Sequence, residues 1–154
     1  MRPAILKIVW CGLYALADSL EVYAGQTRMA AFDAGANRIF LHKKPVGDGS
    51  LLVVEIRRKT LTRIWLDGRK AIVANLGGGP NGAALGPDGY CYVVNNGGFT
   101  FVQRADGRWV TAGTPADYVT GRVERVDIDT GKFEVLYDKV GDMKIRGPND
   151  IVFD

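Results

Sequence analysis

Two asparagines stand at matching places in this 154-residue chain. Asn81 lies in Gly79-Pro80-Asn81-Gly82-Ala83-Ala84-Leu85, and Asn149 lies in Gly147-Pro148-Asn149-Asp150-Ile151-Val152-Phe153, an offset of 147 − 79 = 68 residues. An Asn side chain presents a carbonyl oxygen to a hard cation and an amide donor to a substrate hydroxyl or carbonyl. In a radially repeated fold, equivalent positions point at one axis. Both asparagines precede an apolar strand-like run, so they are expected near one end of a central channel. The competing reading is local: Pro-Asn-Gly and Pro-Asn-Asp are turn sequences in which Asn caps its own backbone. Asn95 and Asn96 end another apolar run and are expected to line the opposite mouth. Gly97-Gly98 reads as a bend, and Glu55 as a salt-bridged edge carboxylate. The sequence contains no G-x-S-x-G, no G-x-x-x-x-G-K-[ST] and no H-E-x-x-H motif, which leaves nucleophile-elbow, phosphate-loop and zincin chemistry without a carrier.

The elements that must hold these residues are short strands. Asp48-Gly49, Asp67-Gly68 and Asp88-Gly89 each sit between β-prone runs, and Asp129-Thr130-Gly131 is the longer form of the same turn. Asp-Gly supplies the positive φ of a tight hairpin. Asp48 to Val54 returns as Asp88 to Val94, an offset of 88 − 48 = 40, and Leu61 to Gly68 matches Val123 to Gly131. The offsets differ because a connection has lengthened. The polar stretch between Asn96 and Gly121 reads as an inserted loop or hairpin. The repeating unit is strand, Asp-Gly turn, strand, connection, strand, Asp-Gly turn, strand. Leu51–Val54 and Tyr90–Val94 are continuously apolar, as strands buried on both faces are. Four antiparallel strands repeated in this way describe a propeller blade, so the expected class is all-β, a β-propeller arc.

Composition agrees. Twenty glycines without a collagen period indicate many turns. The formal charge of +3 comes from scattered basic residues. They read as a solvated surface, not a nucleic-acid site. Cys91 sits in an apolar run and reads as a buried thiol. Cys11 and Cys91 belong to no Cys-x-x-Cys pair. His42 reads as a surface histidine. No stretch approaches the ~20 apolar residues of a membrane helix. Arg2, Lys7, the apolar run to Ala17 and Ala15-Leu16-Ala17 have the form of a short secretory signal. A terminal helix or strand in a cytoplasmic protein is the favoured alternative.

Asp48 to Ile56, Gly78 to Gly82, Asn95 to Phe99 and Arg146-Gly147-Pro148-Asn149-Asp150-Ile151-Val152-Phe153-Asp154 together resemble the first blades of the gluconolactonase and regucalcin family. Strictosidine-synthase-like propellers are related to it. The resemblance spans residues 45–154 and leaves 1–44 unassigned. It implies a six-bladed propeller with a divalent metal, commonly calcium, in the channel, and a metal-dependent hydrolase of sugar lactones or related cyclic esters. It implies that Asn149 contacts substrate or metal and that Arg146 lies one residue from a substrate-binding arginine; Asn81 is expected to contact substrate from its repeat position. Asp150 is structural in this scheme. The family's Glu-Gly-Pro motif, whose Glu is a metal ligand, is replaced here by Phe40-Leu41-His42-Lys43-Lys44-Pro45. The remaining ligands and the general base of the family come from later blades. The expectation is therefore an N-terminal arc of about two four-stranded blades. The alternative is a non-catalytic module that binds a partner or self-associates through open blade edges.

Overall fold

The computed structural model describes residues 48–65 and 67–153 in full, and the backbone of three further strands, β1 (Leu6–Val9), β2 (Leu20–Ala24) and β3 (Thr27–Phe32). The other residues, among them Cys11, Leu41, His42 and the signal-like segment up to Ala17, lie outside the description. All regular structure among the described residues is β. The strands that follow are β4 (Leu51–Glu55), β5 (Thr60–Ile64), β6 (Lys70–Asn75), β7 (Pro80–Leu85), β8 (Cys91–Asn95), β9 (Thr100–Gln103), β10 (Trp109–Gly113), β11 (Arg122–Val126), β12 (Phe133–Tyr137), β13 (Lys139–Val140), β14 (Met143–Lys144) and β15 (Asp150–Phe153).

Every pairing is antiparallel. β4, β5 and β6 form one sheet; β7, β8, β11 and β12 form a second, in that spatial order. The second sheet is the four-strand unit expected from the repeat. The polar stretch inserted into it is the β9–β10 hairpin. β15 repeats β7 and pairs with β1, Leu6 opposite Phe153. The turns follow their sequence: Gly49, Gly68, Gly89 and Gly131 have φ of 77°, 85°, 85° and 72°.

Alternation explains the packing. On β8, Cys91 and Val93 face one way and Val94 the other. Cys91 and Val93, with Ala83 and Val126, meet Val54, Leu61, Ala74 and Leu76 of the first sheet. Val94, Ala84 and Val123 meet Ile151 of β15. Val93 and Val94 are both fully buried, as the unbroken apolar run requires. Tyr92 and Phe153 close the second interface edge to face, with ring centroids 4.9 Å apart. The second sheet is thus covered on both faces, by the first sheet and by β15.

Candidate functional site

Asn81 is aimed by a bulge. On β7, Pro80 pairs with Asn95 and Gly82 with Val94, so Asn81 is the extra residue. A bulge bends the strand and re-aims its side chain. Asn81 Nδ2 donates to Asn149 Oδ1 at 2.7 Å, a buried hydrogen bond between residues 68 apart. The two repeated Gly-Pro-Asn elements therefore meet through their asparagines. Gly82 allows the approach: a Cβ there would lie 2.7 Å from the Asn149 carbonyl oxygen and from Asp150 Cα. The site is also tied down locally, since Asp150 Oδ1 accepts from Ile151 N at 2.8 Å.

The same end of the second sheet carries a denser network. Asn95 Oδ1 accepts from Gly79 N and Gly97 N, at 2.7 and 3.0 Å, and its Nδ2 donates to Gly77 O and to Glu124. Asn96 N donates to Gly79 O, and Asn96 Oδ1 accepts from Gly98 N at 2.8 Å. Asn95 and Asn96 lie beside the start of β7, at the Asn81 end and not at the opposite mouth. The hairpin reverses the chain, so the end of β8 returns to the beginning of β7. Gly97-Gly98 is the bend expected, at φ 91° and 104°.

Glu124 is fully buried on β11. Arg122 Nε donates to it at 2.6 Å, and Arg122 Nη2 also donates to Leu76 O. Burial still raises the Glu124 pKa, against the lowering pull of Arg122 and Asn95. Glu55 is the salt-bridged edge carboxylate expected: it lies on the edge strand β4 and pairs with Arg58 at 3.0 Å, and it is also buried, bonded to Thr60 and Thr62. It is enclosed because the four-residue turn after it folds back, with Lys59 N donating to Glu55 O at 2.7 Å. That turn belongs to the same end: Leu76 N and Gly77 N both donate to Lys59 O. It carries Arg57, whose guanidinium lies over the Trp109 ring of the inserted hairpin, 4.6 Å from the centroid.

Of the residues singled out from sequence, Asn81 and Asn149 are brought together and buried. Arg146 is exposed three residues before Asn149. Sequence reasoning missed Arg57 and the Arg122–Glu124 pair. The pair had a signal: Arg and Glu two residues apart on a strand share one face.

Among the described residues, three buried side-chain atoms have no hydrogen-bond partner: Arg57 Nε, Asn81 Oδ1 and Asn96 Nδ2. Each unmet group of this kind costs about 1–3 kcal/mol, so they mark where a ligand would be rewarded. As a calcium site the described residues fall short. Asn81 Oδ1 is a suitable oxygen, but no group of three or more His, Cys, Asp or Glu among the described residues could hold a metal. Calcium takes six to eight oxygens, with carboxylates prominent. What the arrangement can do unaided is hold a polar ligand by hydrogen bonds and exclude water around Glu124. Compared with known proteins, the chain matches no family model and no curated protein.

Proposed function

We propose that the chain forms the first blades of a β-propeller, and that the end marked by Asn81 and Asn149 is part of the binding site of a hydrolase acting on sugar lactones or related cyclic esters. The observation that carries the reading is the Asn81–Asn149 hydrogen bond. It joins equivalent positions of a sequence repeat at one end of adjacent strands, as radial repetition around an axis requires. The covering of the second sheet on both faces supports the same architecture. The lactone class rests on the Gly-Pro-Asn-Asp resemblance. In this reading Asn81 Oδ1 accepts a substrate hydroxyl, and Asn149 fixes the side chain that presents it. If a divalent cation like that of the resembling family were held here, it would supply Lewis-acid polarisation of a carbonyl, with ligands from outside the described residues.

The test is hydrolysis of D-glucono-1,5-lactone by the full chain, followed by pH-stat with calcium and with chelator. Metal-dependent turnover lost in Asn149→Ala supports the reading. A folded chain that neither binds the lactone nor turns it over overturns it.

A second reading, attachment of a partner or a second copy along an open edge, draws on one feature. Among the described residues β12 is paired on one side alone, and Phe133, Val135 and Tyr137 on it are each exposed by 42% or more. Unpaired strand edges template further strands. Light scattering tests it: a concentration-dependent dimer abolished by Val135→Lys supports the edge, and a monomer at all concentrations removes it.

A further inference from the structure

Exposed apolar side chains concentrate on one stretch of the chain. Phe133, Val135 and Tyr137 of β12 are 42%, 49% and 55% exposed, and Val140 and Met143 of the β13–β14 hairpin 68% and 74%. β12 ends the second sheet, with β11 on one side and no strand among the described residues on the other. The outer strand of the first sheet, β6, is placed differently. The β11–β12 turn lies against it, and a Cβ at Gly131 would collide with the Val73 carbonyl oxygen. β12 is therefore the edge left to template another strand.

The sequence of that edge selects its partner. Lys132-Phe133-Glu134-Val135-Leu136-Tyr137-Asp138 is its own complement when a second copy runs antiparallel about Val135. Val135 then faces Val135 of the second copy, Phe133 faces Tyr137, and Lys132 faces Asp138. Lys132 and Asp138 are both exposed. A two-fold axis makes each of the last two pairs occur twice. Aromatic and opposite-charge pairs across strands stabilise, and like charges directly opposite destabilise. Neighbouring registers are worse on this count. A centre between Val135 and Leu136 sets Lys132 against Lys139. A centre on Glu134 sets Glu134 against itself, and a centre on Leu136 sets Glu134 against Asp138. A centre between Glu134 and Val135 forms no charge pair. Leu136, the extra residue of the β12 bulge, is half-buried and falls opposite Glu134, whose carboxylate Arg125 Nε already holds at 2.9 Å.

We infer that two copies of this chain join through β12 as an antiparallel pair centred on Val135. The four-stranded second sheet then continues across a two-fold axis into that of the second copy. The inference rests on the open-edge reading of β12 above and adds the occupant and the register.

The experiment is light scattering of the full chain with charges exchanged across the axis. A concentration-dependent dimer is expected. Lys132→Asp and Asp138→Lys should each weaken it about tenfold or more, because both copies of the charge pair become repulsive. Equimolar mixing of the two variants should restore a dimer with one copy of each, since every pair across the axis is again opposite in charge. In a Cys11→Ser background, Val135→Cys should give a disulfide-linked dimer on oxidation, because directly opposed residues lie within disulfide reach. Ile72→Cys, on β6 and equally open to solvent, should not. A monomer at all concentrations, or a dimer that Val135→Lys leaves intact, overturns this inference together with the open-edge reading. A dimer lost in Val135→Lys but indifferent to the charge exchanges, not recovered on mixing, or not cross-linked at residue 135 overturns this inference alone and leaves the open edge standing.

Discussion

Glu55 and Asn95 occupy the same place in successive sheets, and the carboxylate that Glu55 supplies from β4 comes in the next sheet from Glu124 on the neighbouring strand. Glu55 is opposite Thr60 and bonds to Thr62. Asn95 is opposite Arg122 and bonds to Glu124. Thr62 and Glu124 are thus counterparts, and each sheet encloses one carboxylate at this end with an arginine beside it.

Moving a carboxylate between counterparts should therefore be tolerated only in pairs. Thr62→Glu alone places two carboxylates in one buried space and is expected to destabilise by about 3 kcal/mol or more, the scale of an uncompensated buried charge. Thr62→Glu with Glu55→Asn reproduces the second sheet's arrangement and should recover most of that loss. Urea midpoints of the two variants and the parent decide it. A double variant no better than Thr62→Glu would show that the positions are not equivalent.

The bond between Asn81 and Asn149 should appear as coupling. Truncating Asn149 leaves the Asn81 amide buried without its acceptor, at a cost of about 1–3 kcal/mol. A double-mutant cycle with Asn81→Ala and Asn149→Ala is expected to give an interaction energy of about 0.5–3 kcal/mol. Additive losses would mean that the two asparagines act separately.

Burial pushes the Cys91 thiol up to about 12. The thiolate is the reactive form. In a Cys11→Ser background, Cys91 should therefore resist a disulfide reagent at mildly alkaline pH in the folded chain and react fully in urea. Rapid reaction without denaturant would contradict the packing of Cys91 with Val93 and Val126.

Stability should depend on pH through two groups of opposite sign. Burial raises the Glu124 pKa above its ordinary 4.5. The folded state then binds this proton more tightly than the unfolded state. Its contribution is complete below 4.5 and is lost as the pH rises through the raised value. Asp48 is held at about 2, from an ordinary 3.8, by the Ser50 amide and hydroxyl and then by Arg63. Its contribution is present above 3.8 and is lost as the pH falls towards 2. Across melting curves from about pH 2 to pH 8, Glu124→Gln should remove decline on the alkaline side and Asp48→Asn should flatten the acid side. Curves parallel to the parent's in both variants would refute the assignment.

Much of this was legible in the sequence. Asp-Gly dictates its own backbone, so the hairpins at Asp67 and Asp88 and the turn at Asp48 were readable from two residues each. The meeting of Asn81 with Asn149 followed from their offset, because a repeat in sequence became a repeat in space. The bulge at Asn81 was not readable: it depends on register between two strands, which Gly-Pro-Asn-Gly does not specify. Arg57 was hidden for a similar reason. Its environment is made by Trp109, from another sheet, and an Arg-Arg-Lys turn by itself looks like solvated surface. The burial of Glu55, as distinct from its ion pair, was not readable because the strand beside it, which supplies Thr60 and Thr62, encloses it only after pairing.

The bond at the heart of the candidate site also has a place in time. Neighbouring strands such as β4 and β5 close turns of a few residues, whereas Asn81 and Asn149 enclose a loop of 68. Closing a longer loop costs more chain entropy, and long-range contacts of this kind slow folding. The hairpins should therefore be assembled before the two asparagines find each other, so that newly made chains acquire native strands first and the Asn81–Asn149 contact last.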